Sequence, residues 1–494
     1  VSGTSVSNAS QSIAISHGAP SYLTITSSSS ATVGVDLAQQ PEVSIYDVSG
    51  NLVTTGVGAT TTVTLSATGM TSKTATASAG VARFTGVQLN TAAGNITMTA
   101  SISSPNSASG TKVVALTAGT PTQLIVATAA ANCSARIACT TQPVIRIADA
   151  AGNATTSTAT VTATITSGTG TVYAGSTAAA VNGVATFSGF ALSGTAGSFN
   201  LQFAISSPSL SVAQTSLTLN AGTASKILVQ TQAAGAVNAV AFTTQPKVSV
   251  LDIDGNVVTT STASIGVAVV ESTATLAGTT PVAAVAGINT FAGLKLTGTV
   301  GTYTLRYTST GLTSVDDSIT LTYGAADHLA ISTGATGIVN RVAFTGQPTI
   351  LVQDVSNNTV FNSTVSIAAS ASTSNGAVLG GTKSVAATSG SLTYTDLKFT
   401  GTVGSYTLTY AATGLTSATE TITLLPGAAN KLALTTSAAG FTNRTAFTTQ
   451  PAVTIQDADG NTLTNSTATV AVSSSTGNGA VLSGNTSVNA TTSV

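Results

Sequence analysis

Within short segments of this chain apolar side chains recur at every second position, the spacing that puts alternate side chains on opposite faces of a β-strand. Val43 and Ile45, Ile145 and Ile147, Val248 and Val250, Ile350 and Val352, and Val453 and Ile455 flank residues that include Ser44, Arg146, Ser249 and Thr454. Further along each stretch, Phe84, Phe187, Phe291 and Tyr394 hold equivalent places in GVARFTGVQL, GVATFSGFAL, GINTFAGLKL and GSLTYTDLKF. Tyr303, Leu305 and Tyr307 share one face of GTYTLRY, as Tyr406, Leu408 and Tyr410 do in GSYTLTY. The pattern predicts about seven short strands per hundred residues, with turns about every 8–12 residues. Helical periodicity is nowhere sustained.

The strands share one frame. Gln-Pro occurs at Pro41, Pro143, Pro246, Pro348 and Pro451, with spacings of 102, 103, 102 and 103 residues. A glycine joint opens each unit at Gly18, Gly119, Gly222, Gly324 or Gly427. Many short strands in a hundred-residue unit are the signature of a two-sheet sandwich of the immunoglobulin type. The expected fold is therefore all-β, a tandem array of Ig-like two-sheet β-sandwich domains of about 102 residues each. The expected division is 18–118, 119–221, 222–323, 324–426 and an incomplete unit at 427–494. Residues 1–17 read as the last strand of a preceding repeat, or as a donor strand that completes a neighbouring molecule. Short joints and strands lying along the array imply a stiff rod, with each unit spanning roughly 35–40 Å.

The repeated TTQPxVxIxDxDGN and GxYTLxY motifs resemble bacterial immunoglobulin-like (Big) repeats. Such repeats build large surface adhesins of the invasin and intimin kind and some surface-layer proteins. The resemblance covers essentially the whole chain, and it implies an extracellular, cell-surface location. Its motifs are specific for architecture and weak for function, because sandwiches host many roles.

Composition sharpens the picture. Only 6 % of the 494 residues are charged, 42 % are hydrophobic, and mean hydropathy is +0.40. That much apolar content favours folding over disorder. Fourteen basic against fifteen acidic residues leave no basic field for nucleic acid or an anionic membrane. No apolar run reaches the roughly 18 residues of a membrane span. Few charged gatekeepers on sheet edges leave self-association into a polymer or lattice weakly opposed.

Candidate chemistry is sparse. Asp47, Asp149, Asp252, Asp354 and Asp457 each follow the Gln-Pro proline by six residues and precede a Gly-Asn or Asn-Asn pair. A structural hairpin turn, with the carboxylate accepting backbone N–H groups, accounts for all five. A second acid stands beside two of them, so Asp252 with Asp254 and Asp457 with Asp459 form a candidate calcium set. No other cofactor is expected. Cys133 and Cys139 are the only cysteines, and they read either as a disulfide or as a pair of buried thiols. His17 and His328 have no nucleophile or metal partner in any recurring pattern, so no enzyme activity is expected. Lys226 and Lys431 raise an isopeptide crosslink, which the other units could not share. Sequons such as those at Asn95, Asn153 and Asn465 are no more frequent than so Ser- and Thr-rich a chain produces by chance. Tyr303 and Tyr406 resemble a tyrosine corner, with Ile96 and Phe199 at the same place elsewhere. Two functional readings follow: a non-catalytic structural rod building a filament, surface layer or adhesin stalk, or an adhesive array recognising glycans or another cell surface.

Overall fold

The computed structural model describes residues 5, 8, 10–475 and 477–491. Among them regular structure is β throughout, apart from one 3-10 turn at Val57–Thr60. Contacts gather the chain into two compact units, residues 1–226 with 250–261 and residues 227–249 with 262–494. In each, an antiparallel strand pair follows a joint glycine, as Tyr22–Thr26 with Glu42–Tyr46 and His328–Thr333 with Thr349–Gln353.

In the first unit, Glu42–Tyr46 shows why period-two segments become strands. Val43 and Ile45 are fully buried while Glu42, Ser44 and Tyr46 are only partly covered. The strand lies between Tyr22–Thr26 and Val81–Arg83, antiparallel to both. Opposite it stands a five-stranded sheet in the order Ser30–Thr32, Ala108–Thr117, Gly94–Ile102, Thr62–Ser66 and Lys73–Thr76. Leu23, Val43 and Ile45 from one sheet meet Val63, Leu65, Met98, Val114 and Leu116 from the other in a single core. That is a two-layer sandwich. In the next repeat the layers are joined. Thr177–Val181 pairs through Thr177 with Thr162 on one side and through Ala180 with Ala185 on the other, so eight strands form one continuous sheet folded over its core. Phe187 fills that core edge-on to Phe190 and Phe203.

In the second unit, Ala236–Val237, Val315–Thr322, Gly301–Thr308, Ser264–Val269 and Val282–Ala283 make a five-stranded sheet. Farther on, Ser384–Ala386, Ser366–Ala371, Gly404–Ala411 and Ala418–Leu424 make a four-stranded one. It faces the sheet of His328–Thr333, Thr349–Gln353 and Ser391–Thr393 across a core holding Ile350, Val352, Tyr394, Tyr406 and Tyr410. Beyond Gly427 the strands Lys431–Thr436 and Ala452–Gln456 pair in the usual register. There Leu432 and Leu434 are 54 % and 61 % exposed, where Leu329 in the preceding repeat is 4 % exposed. The Phe/Tyr strands that cover this face in other repeats have no counterpart within 427–494.

Of residues 1–17, expected to form a terminal or donor strand, 1–4, 6, 7 and 9 lie outside the described residues. Ser10–Ser16 form no strand with this chain, and Ile13 and Ile15 are 79 % and 91 % exposed.

The glutamine of each Gln-Pro dipeptide is a structural tie. Gln347 Nε2 donates to the carbonyls of Phe344 (3.2 Å) and Leu397 (3.1 Å), while its Oε1 accepts from Leu397 N–H (3.1 Å). Gln142 and Gln245 repeat the arrangement with Phe190 and Leu294. The following proline carbonyl accepts from the core aromatic, as Pro348 does from Tyr394 N–H at 3.1 Å. Gln347→Ala leaves Leu397 without its side-chain partners, and a loss of about 2 kcal/mol is expected. Urea unfolding followed by tyrosine fluorescence measures it; an unchanged midpoint would remove the glutamine from the account of stability.

Candidate interface at the joints between repeats

The aspartate after each Gln-Pro holds two pieces of backbone at once. Asp47, Asp149, Asp252, Asp354 and Asp457 are all 2 % exposed or less. Oδ1 serves the turn. In Asp354 it accepts from Ser356 N–H (2.9 Å) and Asn358 N–H (3.0 Å), and Asp47, Asp149 and Asp457 do the same with their own turns. Asn256 N–H donates to Asp252 Oδ1 at 2.8 Å. Oδ2 leaves the turn and accepts from the joint glycine: Gly18 (2.7 Å), Gly119, Gly222 and Gly324 (2.8 Å each) and Gly427 (2.9 Å).

Those glycines are required by close approach. A Cβ on Gly119, Gly222, Gly324 or Gly427 would lie 2.7, 2.4, 2.8 or 2.8 Å from the carbonyl oxygen of Val33, Ala135, Asn238 or Asn340, each in the preceding repeat. No side chain fits in such a gap.

The asparagine that ends the turn crosses the joint. Asn153 Nδ2 donates to Thr91 O (3.0 Å) and its Oδ1 accepts from Ala93 N–H (2.8 Å). Asn256 binds Gly194 O and Ala196 N–H in the same way, Asn358 binds Gly298 O and Val300 N–H, and Asn461 binds Gly401 O and Val403 N–H. Each also donates to its own buried aspartate. The carboxylate and carboxamide therefore form one network joining turn, joint and previous repeat.

Arginines complete two joints. Arg136 Nε donates to Asp254 Oδ1 at 2.7 Å, and Gly194 N–H reaches the other oxygen at 3.1 Å. Arg341 grips Asp459 with two bonds of 2.7 and 2.6 Å, and Asn340 Nδ2 bridges Asp457 and Asp459 at 2.7 Å each. The oxygens of the candidate calcium set are thus engaged by N–H and guanidinium donors, and an ion bound to Asp254 or Asp459 would have to displace an arginine. Among the described residues no three His, Cys, Asp or Glu side chains gather as a metal site.

The electrostatics follow from the donors. Gly18 N–H first, then Asn51, pulls Asp47 down to about 2. At Asp149, Asp252 and Asp354 burial is the largest influence and opposes ionisation, yet the combined donors outweigh it and leave all three below the usual carboxylate value. Arg341 foremost, with Asn340, lowers Asp459 to about 2.

Cys133 and Cys139 are bonded to each other, with Cα atoms 4.1 Å apart, and they close the loop that carries Arg136. His17 accepts Thr55 N–H at 3.1 Å and faces the Gly18 carbonyl through Nδ1. His328 Nδ1 lies 3.1 Å from Asp327. His17 Nε2 also lies 2.9 Å from the exposed Thr55 hydroxyl, while its other ring nitrogen faces a backbone carbonyl and no carboxylate. Lys226 Nζ donates to the Ile253 carbonyl. Tyr303 and Tyr406 donate to the carbonyls of Thr299 (2.5 Å) and Thr402 (2.6 Å), so their hydroxyls tie the chain four residues back. The cross-joint asparagines and Arg136 and Arg341 escaped the sequence reading. The available signal was that asparagine and glutamine, like the aspartate, recur in every unit.

No known family matches the chain, and no curated protein does. Among solved structures it is similar to invasin, described as a bacterial integrin-binding protein, at 16 % identity over 84 % of this chain and 82 % of that one, with a TM-score of 0.28. Domains 4–9 of the surface-layer protein SbsC are 16 % identical over 86 % of this chain and 70 % of that one, with a TM-score of 0.20. The Escherichia coli adhesin FdeC is 14 % identical over 61 % of this chain and 99 % of that one, with a TM-score of 0.27. At these TM-scores the likenesses carry no information about ligand, partner or activity.

Two outcomes are expected at the joints. Asn358→Ala removes the bonds to Gly298 and Val300 and should cost about 2 kcal/mol. Hydrogen exchange should accelerate at Val300 N–H while Leu397 N–H, inside the following repeat, keeps its protection. Acid should act through the aspartates. Asp47 titrates at about 2 when folded, against about 3.9 when unfolded. A lowered folded value contributes stability that is complete above the unfolded pKa and lost as pH falls through the folded one. Calorimetric midpoints should therefore drop as pH falls from about 4 to about 2, and Asp354→Asn should blunt that drop.

Proposed function

We propose that the chain is a non-catalytic structural protein of the cell surface, a stalk or layer component made of Ig-like repeats joined stiffly end to end. The observation that carries this reading is the recurrence of one buried Asp–Gly–Asn network at successive joints. Repeated fixation of neighbouring backbones suits a protein whose work is to hold spacing, and a flexible tether would not need it. Among the described residues no helix is long and apolar enough to cross a membrane.

An adhesive array draws less support. Exposed aromatics occur at Tyr22, Tyr173, Phe361 and Phe441, and these occupy different places in their repeats, so no platform recurs. Self-association into a polymer or lattice is the finer part of the proposal and rests on the scarcity of charge at sheet edges.

Electron microscopy of the purified chain is expected to show extended, beaded particles of constant bead spacing. Antibodies against it should label intact cells of the source organism without permeabilisation. Compact particles with variable bead angles would overturn the stiff-array reading, and label confined to permeabilised cells would overturn the surface location.

A further inference from the structure

Three of the six arginines, Arg136, Arg341 and Arg444, stand at one loop position, seven residues before the Gln-Pro proline. The other repeats have Gly34 and Ala239 there. All five adopt a left-handed backbone, with φ of 74° at Gly34, 61° at Arg136, 64° at Ala239, 68° at Arg341 and 60° at Arg444. The loop therefore presents whatever side chain it carries in one direction.

What it meets is the residue two after the buried aspartate of the next repeat. Arg136 meets Asp254 and Arg341 meets Asp459. Where the loop has Gly34 or Ala239, the facing position holds Ala151 or Ser356. Asp never faces a small residue, and neither paired arginine faces one. The physical reason is repulsion. Asp254 and Asp459 add a second carboxylate beside Asp252 and Asp457, and each raises the cost of ionising its neighbour. A guanidinium from the preceding repeat removes that conflict, whereas an alanine leaves it.

We propose that this pair is a matching code that decides which repeat can follow which: an arginine loop accepts a turn reading Asp-x-Asp-Gly-Asn, and a small-residue loop accepts a turn without the second acid. The shared Asp–Gly–Asn network supplies attachment, and the pair supplies choice, partly by penalising the wrong neighbour. The code is independent of where the protein is displayed.

The joint at Gly324 tests the rule, because Ala239→Arg with Ser356→Asp turns it into a copy of the joint at Gly427, with Asn238 already in the place of Asn340. Hydrogen exchange of Gly298 and Val300 N–H in the full chain is the readout. Ser356→Asp alone should speed exchange about fivefold, and adding Ala239→Arg should return it to the original rate. No acceleration in the single variant, or no recovery in the double, overturns the code.

Discussion

Everything at the joints depends on a carboxylate that is buried without a cation of its own. Removing a charge from water costs several kcal/mol unless its lone pairs are filled, and here backbone N–H groups fill them. One oxygen of Asp354 takes the two N–H groups of its own turn; the other takes Gly324 N–H and the Asn238 carboxamide. A single side chain thereby couples the shape of a hairpin to the position of the preceding repeat. Neither can shift without leaving an ionised group short of donors, which explains why the joint glycine, the turn asparagine and the aspartate travel together along the chain.

The same constraint orders the surrounding residues. Glycine follows from the nearness of a carbonyl at 2.4–2.8 Å from where a Cβ would stand. In the turn itself Gly255 has φ 92°, and Asn357, with φ 64°, takes the equivalent place in the next repeat, its short polar side chain tolerating a left-handed backbone. The asparagine that follows has a different task, since its carboxamide offers both a donor and an acceptor to a strand end in the repeat before. An aspartate there would lose the donor, and a serine would fall short.

Much of this was legible in the sequence, and what was not has a common cause. The all-β class, the buried faces of Val43 and Ile45 and the turn role of the five aspartates follow from period-two spacing and turn chemistry, which are local. The tie made by Gln347 to Leu397 spans fifty residues, the reach of Asn358 to Gly298 spans sixty, and Arg341 meets Asp459 across 118. No local pattern announces such partners. Gln-Pro served as a ruler for the repeat, and its glutamine passed for a marker because the groups it binds lie in another strand. The single sheet that wraps the core around Phe187 is likewise invisible, since it turns on how the two halves of Thr177–Val181 choose different neighbours.

Division of labour between the neutral and the charged parts of a joint also explains why so few charges suffice. Gly324 donates to Asp354 within its own repeat, and Asn358 reaches the Gly298 carbonyl and Val300 N–H of the repeat before, groups that any repeat can provide because carbonyls and N–H groups carry no identity. Such contacts hold neighbours together but cannot tell them apart. Discrimination needs side chains that differ between repeats and that sit where a mismatch is felt. Arg136 and Arg341 keep 42 % and 54 % of their side-chain surface in solvent, while Asp254 and Asp459 keep only 8 % and 17 %. An exposed pair of this kind adds little net attraction. The half-buried acid without its arginine is another matter, for it sits beside a second carboxylate and away from water. The asymmetry makes the wrong neighbour costly while the right one gains little, and that is how a protein with 6 % charged residues can still impose an order on repeats that are otherwise alike.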